Sequence, residues 1–192
     1  EIQVDPVGMW LKPETDYATF PKANIILITH EHKDHFDREA IYTLRTPATT
    51  IYVNQAVYGY FHNGLVMHNG DSVQYAPDIK IEAVPAYNTT PGREQYHPKG
   101  RDNGYVLTLD GLRIYIAGDT EDIPEMANLK DIDIAFLPCN QPYTMTIEQI
   151  VNAAKIIQPK VLFPYHYNET PVFKINMQLA GSGIDVRIRD YK

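Results

Sequence analysis

The amino-acid sequence predicts an α/β protein, a layered sandwich formed by a single domain over residues 1–192. Three observations carry that expectation. Runs of β-branched, aromatic or alternating residues recur along the chain, and a few amphipathic stretches interrupt them. Prolines and glycines fall between these runs without marking a linker. A chain of 192 residues that is 44% hydrophobic can also bury one substantial core.

The expected elements follow in order. "IQVDPV" and "NIILIT" read as strands, the second so apolar that both of its faces should be buried. "DREAIYTLR" is a short helix candidate, "TIYVN" a strand, and "NQAVYGYFHNG" a second helix that Gly64 would end. "IKIEAVPAY" is a strand, and "GYVLTLDGLRIYIAG" a hairpin, because Asp110-Gly111 supplies the positive φ angles of a tight turn between two alternating runs. "DIDIAFLP" and "KVLFPYHY" are strands on either side of a helix, "TIEQIVNAAKIIQPK". In that helix Thr146 can cap the first turn with Gln149 reaching back, Ile147, Ile150, Val151 and Ala154 form one apolar stripe, and Pro159 stops it. "DVRIRDY" is the last expected strand.

Bulk properties exclude some classes. The net charge is −7 with a pI near 5.4, and the basic residues are scattered, so the electrostatic footprint of a nucleic-acid binder is missing. No apolar run approaches the roughly 18 to 20 residues that span a bilayer. A soluble domain acting on a small molecule is expected, with a homo-oligomer left open. The one cysteine, Cys139, rules out an internal disulfide without deciding the compartment. "EIQVDPV" opens at Glu1 as a strand already under way, so something is expected to have been removed or left out upstream, with the first strand of the sandwich missing from the chain. The compartment is left open: cytoplasmic, or exported with an N-terminal segment removed.

The chemistry concentrates in "NIILITHEHKDHFD", where an apolar run breaks into three histidines and acids within six positions. If the segment stays extended, His30, His32 and Asp34 project to one side and converge, while His35 reaches a second point nearby. Imidazoles and a carboxylate in that spacing suit a borderline ion such as Zn²⁺. The end of a buried strand is also where sheets of this kind bind ligands. A loop merely rich in histidine explains the setting less well.

"THEHKDH" resembles the HxHxDH signature of the metallo-β-lactamase superfamily, whose hydrolases bind two metal ions at the edge of a four-layer αββα sandwich. The resemblance runs over nearly the full chain. "YIAGDT" resembles the family's Gly-Asp-Thr strand end and implies Asp119 as a bridging carboxylate. "LFPYHY" resembles the final metal-binding strand and implies His166 as the last ligand. The third histidine is expected at His97, in "REQYHPKGRDNGYV", which resembles a subgroup of small hydrolases with His-Pro-Lys-Gly at that point; the usual place after "VPAYN" holds Tyr87 and Asn88. The resemblance therefore implies His30, His32 and His97 on one ion, Asp34, His35 and His166 on the other, and Asp119 on both.

By the same resemblance a hydroxide bridging two divalent ions, zinc by donor type with manganese or iron as alternatives, attacks an ester, lactone or phosphodiester, with Asp34 as the catalytic residue that orients it. Thr120 and Tyr143 are expected to fix ligand orientation, while Tyr165 and Tyr167 read as packing and His62 and His68 as solvated. "LPCNQPYTM" departs from the glycine-rich turn of similar chains, with Asn140 and Gln141 where glycines are expected. Compact size, "DPV" and "AGDTEDIPEM" look most like the ascorbate phosphate lactonase and N-acyl phosphatidylethanolamine phospholipase D branch. Two alternatives stand beside this: a non-catalytic metal-binding scaffold, and within the fold a nuclease of the RNase Z type, which the acidic charge disfavours. A structural zinc site would be closed and thiolate-rich, which one cysteine does not allow.

Overall fold

The computed structural model describes residues 1–8 and 15–190. They fall into two compact units, Glu1–His68 and Asn69–Lys192, each built around its own sheet.

In the first unit four parallel strands lie in the order β1 (Ile2–Val4), β2 (Ile25–Leu27), β3 (Thr50–Val53) and β4 (Leu65–Val66). β2 is central and its residues are fully buried, as its unbroken apolar run requires. Helix α1 (Arg38–Leu44) starts at Asp37, whose carboxylate accepts from the Glu39 and Ala40 amides. Helix α2 (Gln55–Phe61) starts at Asn54, which accepts from the Val57 amide. Ile41 and Leu44 of α1 and Val57 and Phe61 of α2 join Ile26, Ile28, Ile51 and Val53 in one core. The helix end differs from expectation: α2 stops at His62, which itself takes the left-handed conformation (φ 53°) and returns its N–H to Tyr58, so Gly64 turns the chain toward β4.

The second unit has a seven-stranded sheet in the order β11 (Asp185–Val186), β10 (Val161–Tyr165), β9 (Ile134–Pro138), β8 (Leu112–Ile116), β7 (Asp102–Leu109), β6 (Ile79–Ala86) and β5 (Ser72–Ala76). β5 to β8 pair antiparallel, and β8 to β11 pair parallel. The β7–β8 turn is the expected tight one, with φ of 48° at Asp110 and 82° at Gly111. Helix α3 (Ile147–Ile157) carries the full reciprocal cap between Thr146 and Gln149 and buries Ile147, Ile150, Val151 and Ala154. These side chains pack with Leu137, Leu162 and Ile175 in the unit's core.

Among the described strands and α-helices, three were not foreseen. β4 is two residues long, β5 is irregular in register between Gln74 and Ala76, and α4 (Phe173–Gln178) has no side-chain cap, so none carries enough periodic signal. The expected "DVRIRDY" strand shrinks to Asp185–Val186, and its Tyr191 lies outside the described residues. No described helix is long and apolar enough to cross a membrane.

The topology places acids and a histidine at strand ends. Asp5 follows β1 and donates its N–H to Leu27 at the end of β2, which brings it beside Thr29. Asp119 and His166 follow β8 and β10, parallel strands separated only by β9. Gly104 of β7 makes the β8 end possible: a Cβ there would stand 2.7 Å from the Ala117 carbonyl oxygen, so any side chain would displace the backbone two residues before Asp119.

Candidate metal centre

The first unit supplies one set of donors. The segment after β2 is not extended, contrary to expectation. The His35 and Phe36 amides both donate to the His32 carbonyl (2.9 and 2.8 Å), which closes a turn. The turn folds His35 back, so its ring centroid lies 4.1 Å from that of His30, with that of His32 edge-on to His30 at 4.6 Å. Three imidazoles therefore crowd together through a turn, where alternation would have brought only His30 and His32. Asp34 points outward, its side chain 53% exposed, with Oδ2 3.9 Å from His35 Nε2.

A buried network decides which ring nitrogens face outward. Asp5 accepts from the Thr29 amide (2.8 Å) and hydroxyl (2.6 Å), and from Nδ1 of His35 (2.8 Å). A carboxylate only accepts, so His35 carries its proton on Nδ1. The Thr29 hydroxyl spends its one proton on Asp5, and so accepts from Nδ1 of His30 at 2.9 Å. One carboxylate thereby sets the tautomer of two histidines and leaves both Nε2 atoms with a lone pair for a metal. Asp5 adopts a left-handed backbone (φ 45°) to do so, and Asn54 ties the cap of α2 to the Thr29 carbonyl (3.0 Å).

The second unit repeats the device. His97 is buried with Nδ1 3.0 Å from Asp102, itself held side-on by Nε and Nη2 of the Arg101 guanidinium (2.7 and 3.0 Å). Arg101 also donates to the Tyr96 carbonyl (2.7 Å), closing the loop around His97. The other ring nitrogen, Nε2, lies 3.5 Å from Asp119 Oδ2, and Nε2 of His166 lies 3.6 Å from the same oxygen. These separations are too long for good hydrogen bonds. They fit the spacing of about 3.4 Å between neighbouring ligands of a tetrahedral ion with bonds near 2.1 Å. Asp119 Oδ2 thus stands between two imidazole nitrogens, as a shared ligand would.

The surroundings hold this set in place. Thr120 donates to the Tyr87 carbonyl (3.0 Å) and accepts from its amide (3.1 Å), fixing the segment after Asp119 to the end of β6. Lys99 of the His-Pro-Lys-Gly segment donates to Glu125 (2.8 Å) and to the Tyr87 hydroxyl (3.0 Å), and Tyr87 donates to Glu125 (2.7 Å). Glu121 is buried and accepts from the Thr89 and Thr90 amides and the Thr89 hydroxyl, with Arg93 at 3.5 Å. Burial alone would raise its pKa, but the bonds from Thr90 and Thr89 outweigh that and hold it below the usual carboxylate range.

Other residues near these donors serve packing. Tyr143 is 44% exposed and lies edge-on against Tyr96, and its backbone carbonyl accepts from Asn88. Tyr165 spends its hydroxyl on the Gly118 carbonyl (2.7 Å) and Tyr167 on that of Arg189, in keeping with packing roles. Cys139 is buried, and burial pushes its thiol up to about 12, which leaves it unreactive. Sequence reasoning did not single out Asp5, Thr29, Arg101 or Asp102. The available signals were an acid at the end of the first strand and another five residues after His97.

Two sheets with few helices and imidazole–carboxylate clusters at strand ends define a metal-binding α/β protein. Residues 1–166 match the family model of the β-lactamase superfamily domain, and the chain belongs to that family. A UPF0173 metal-dependent hydrolase of Ligilactobacillus salivarius is 34% identical over 91% of this chain and 83% of its own. A crystal structure of a candidate metal-dependent hydrolase from Parabacteroides distasonis superposes with a TM-score of 0.95 at 58% identity, covering 100% of this chain and 85% of that one. Igni18, a metallo hydrolase of Ignicoccus hospitalis, superposes at 0.80 with 25% identity over 99% and 87% of the two chains. The metallo-β-lactamase fold protein YhfI of Bacillus subtilis, at 16% identity and a TM-score of 0.70 over 90% of this chain and 78% of its own, shares the fold.

Proposed function

We propose that this metal-dependent hydrolase of the β-lactamase superfamily uses both donor sets as one dinuclear centre, within a single functional domain, to cleave an ester, lactone or phosphodiester of a small molecule. His30, His32 and His97 would hold one divalent ion, Asp34, His35 and His166 the other, and Asp119 both. Zinc suits the imidazole-rich set, with manganese or iron as alternatives. The observation that carries this reading is the locking of three histidines: Nδ1 of His30, His35 and His97 each meets an oxygen that must accept, so each offers Nε2 outward. In support of a shared centre, one family model spans residues 1–166 and so includes donors from both units.

Bound ions would acidify water from a pKa of 15.7 toward about 7 and polarise the substrate oxygen that becomes negative. The chain's own residues do the rest. Asp34 has the exposure to meet incoming water, orient it and take its proton. Asp5 and Asp102 hold the imidazoles in the tautomer that can bind, and the cage around Asp102 and Thr120 keeps His97 and Asp119 in register. The finer branch within the family stays with the sequence resemblance, and a sugar lactone or a phosphodiester follows from it.

A panel of lactones, phosphodiesters and thioesters tests the reading. Zinc-loaded protein is expected to hydrolyse a member of one class, to lose that activity on chelation, and to regain it on zinc return. Folded, zinc-loaded protein inert toward the whole panel, or activity indifferent to chelation, would favour a scaffold or a metal-independent reaction.

A further inference from the structure

Asn88 follows β6, and it is only 2% exposed. Its backbone N–H donates to the His97 carbonyl (2.8 Å), and its side-chain nitrogen donates to the carbonyls of Tyr143 (2.8 Å) and Arg93 (3.3 Å). Two acceptors on that side fix the orientation of the carboxamide, since an oxygen placed there would face two more oxygens. The outlying atom is therefore Oδ1, which is buried and accepts from none of the described residues.

Gln141 shows the same division of labour. Its side-chain nitrogen donates to the Thr144 carbonyl, while its Oε1 is buried without a hydrogen-bond partner among the described residues. The turn that carries it is closed by bonds from the Tyr143 and Thr144 amides to the Asn140 carbonyl and from the Asn140 amide to the Thr144 hydroxyl (3.0, 2.7 and 2.7 Å). Asn88 clamps this turn, through Tyr143, to the segment bearing His97. A buried acceptor left unmade is costly, so two in one clamped network point to donors arriving with a ligand.

The chemistry of that ligand follows from its neighbours. Both atoms are neutral acceptors, so a carboxylate or phosphate would be repelled. Glu121, the acid in this network, is already compensated by Arg93 and the Thr89 and Thr90 donors, which leaves no spare negative charge to favour an ammonium. The exposed ring of Tyr143, edge-on to Tyr96 at 5.0 Å, offers an apolar surface for a carbon skeleton. We propose that Asn88 Oδ1 and Gln141 Oε1 receive substrate hydroxyl groups, and so select a polyhydroxylated acyl group over its unhydroxylated analogue. This deepens the hydrolytic reading and rests on it for the position of the scissile bond. It also gives a purpose to Gln141, which stands where the sequence pattern expects glycine.

Calorimetry on the zinc-loaded full chain tests it with two ligands, D-gluconate and 2-hydroxyhexanoate, which share an α-hydroxy-carboxylate head and differ in the distal hydroxyls. Gluconate is expected to bind about tenfold more tightly, the worth of one to two net hydrogen bonds. Gln141→Met should weaken gluconate about fivefold and leave 2-hydroxyhexanoate unchanged. Equal affinities in the unsubstituted protein, or equal loss of both in the variant, overturns the proposal. A crystal structure of the gluconate complex needs no variant: hydroxyls on Asn88 Oδ1 and Gln141 Oε1 support the assignment, and water alone on those atoms overturns it. Repeating the titration without zinc separates the two readings. A head-group affinity indifferent to zinc contradicts the metal centre alone, whereas a ligand ratio of one contradicts the hydroxyl site alone.

Discussion

Asp34→Ala is expected to lower kcat/KM by about 10³-fold on whichever substrate the protein hydrolyses, with an unchanged unfolding midpoint for the metal-free protein, because it removes a charged group acting in the transition state. The structural half of that expectation rests on exposure. The Asp34 side chain is 53% exposed and contributes nothing to the core of its unit, so deleting it opens no cavity. The kinetic half rests on its place in the turn, 3.9 Å from Nε2 of His35 and in a segment held by two bonds to the His32 carbonyl. A variant that kept its activity would leave Asp34 as an ordinary solvated acid and remove the proposed proton acceptor.

Asp5→Ala is expected to behave differently, by lowering metal affinity and kcat/KM about 100-fold and also destabilising the fold. Partners one step removed from a metal typically contribute 10- to 100-fold, and the upper end applies because Asp5 serves His30 and His35 together. Without it the Thr29 hydroxyl can rotate, His30 can take the other tautomer, and His35 loses the acceptor for its Nδ1 proton. The Thr29 amide loses its bond as well, which is the source of the stability cost. Asp5→Asn separates the two effects. It restores bulk and partial bonding but permits the wrong tautomer, so it should recover stability more than zinc affinity. Equal recovery of both would make Asp5 a purely structural residue.

The contrast between these acids explains what the sequence could reveal. His30, His32, Asp34 and His35 were visible because a buried strand ends in them, and apolar-to-polar contrast is a local signal. Asp119 and His166 were visible only through resemblance, because "YIAGDT" and "LFPYHY" look like the metal-binding strand ends of the superfamily. The tautomer-setting acids were not: Asp5 lies 24 residues from Thr29 and 30 from His35, and only parallel pairing of β1 with β2 brings it there. Asp102 sits close to His97 in sequence, but an acid beside an arginine reads as a surface pair until burial is known. The turn after His32 was missed for a related reason. Alternation and a tight turn both gather imidazoles, and only the bonds to the His32 carbonyl tell them apart. Among the fold elements, the capped helix α3 and the Asp110-Gly111 hairpin carried their own termination signals, whereas β4, β5 and α4 depend on neighbours for their length.

The central claim is that donors of both units hold the same ions, and metal content in a double-variant cycle tests it most directly. Zinc per chain would be measured after dialysis for the unsubstituted protein, His30→Ala, His97→Ala and the combined variant. If His30 and His97 serve one ion, the contents should read about two, one, one and one, because the second substitution removes a ligand from a site already lost. Contents of two, one, one and zero would mean two independent sites, and a folded protein retaining no zinc at all would contradict the metal centre itself.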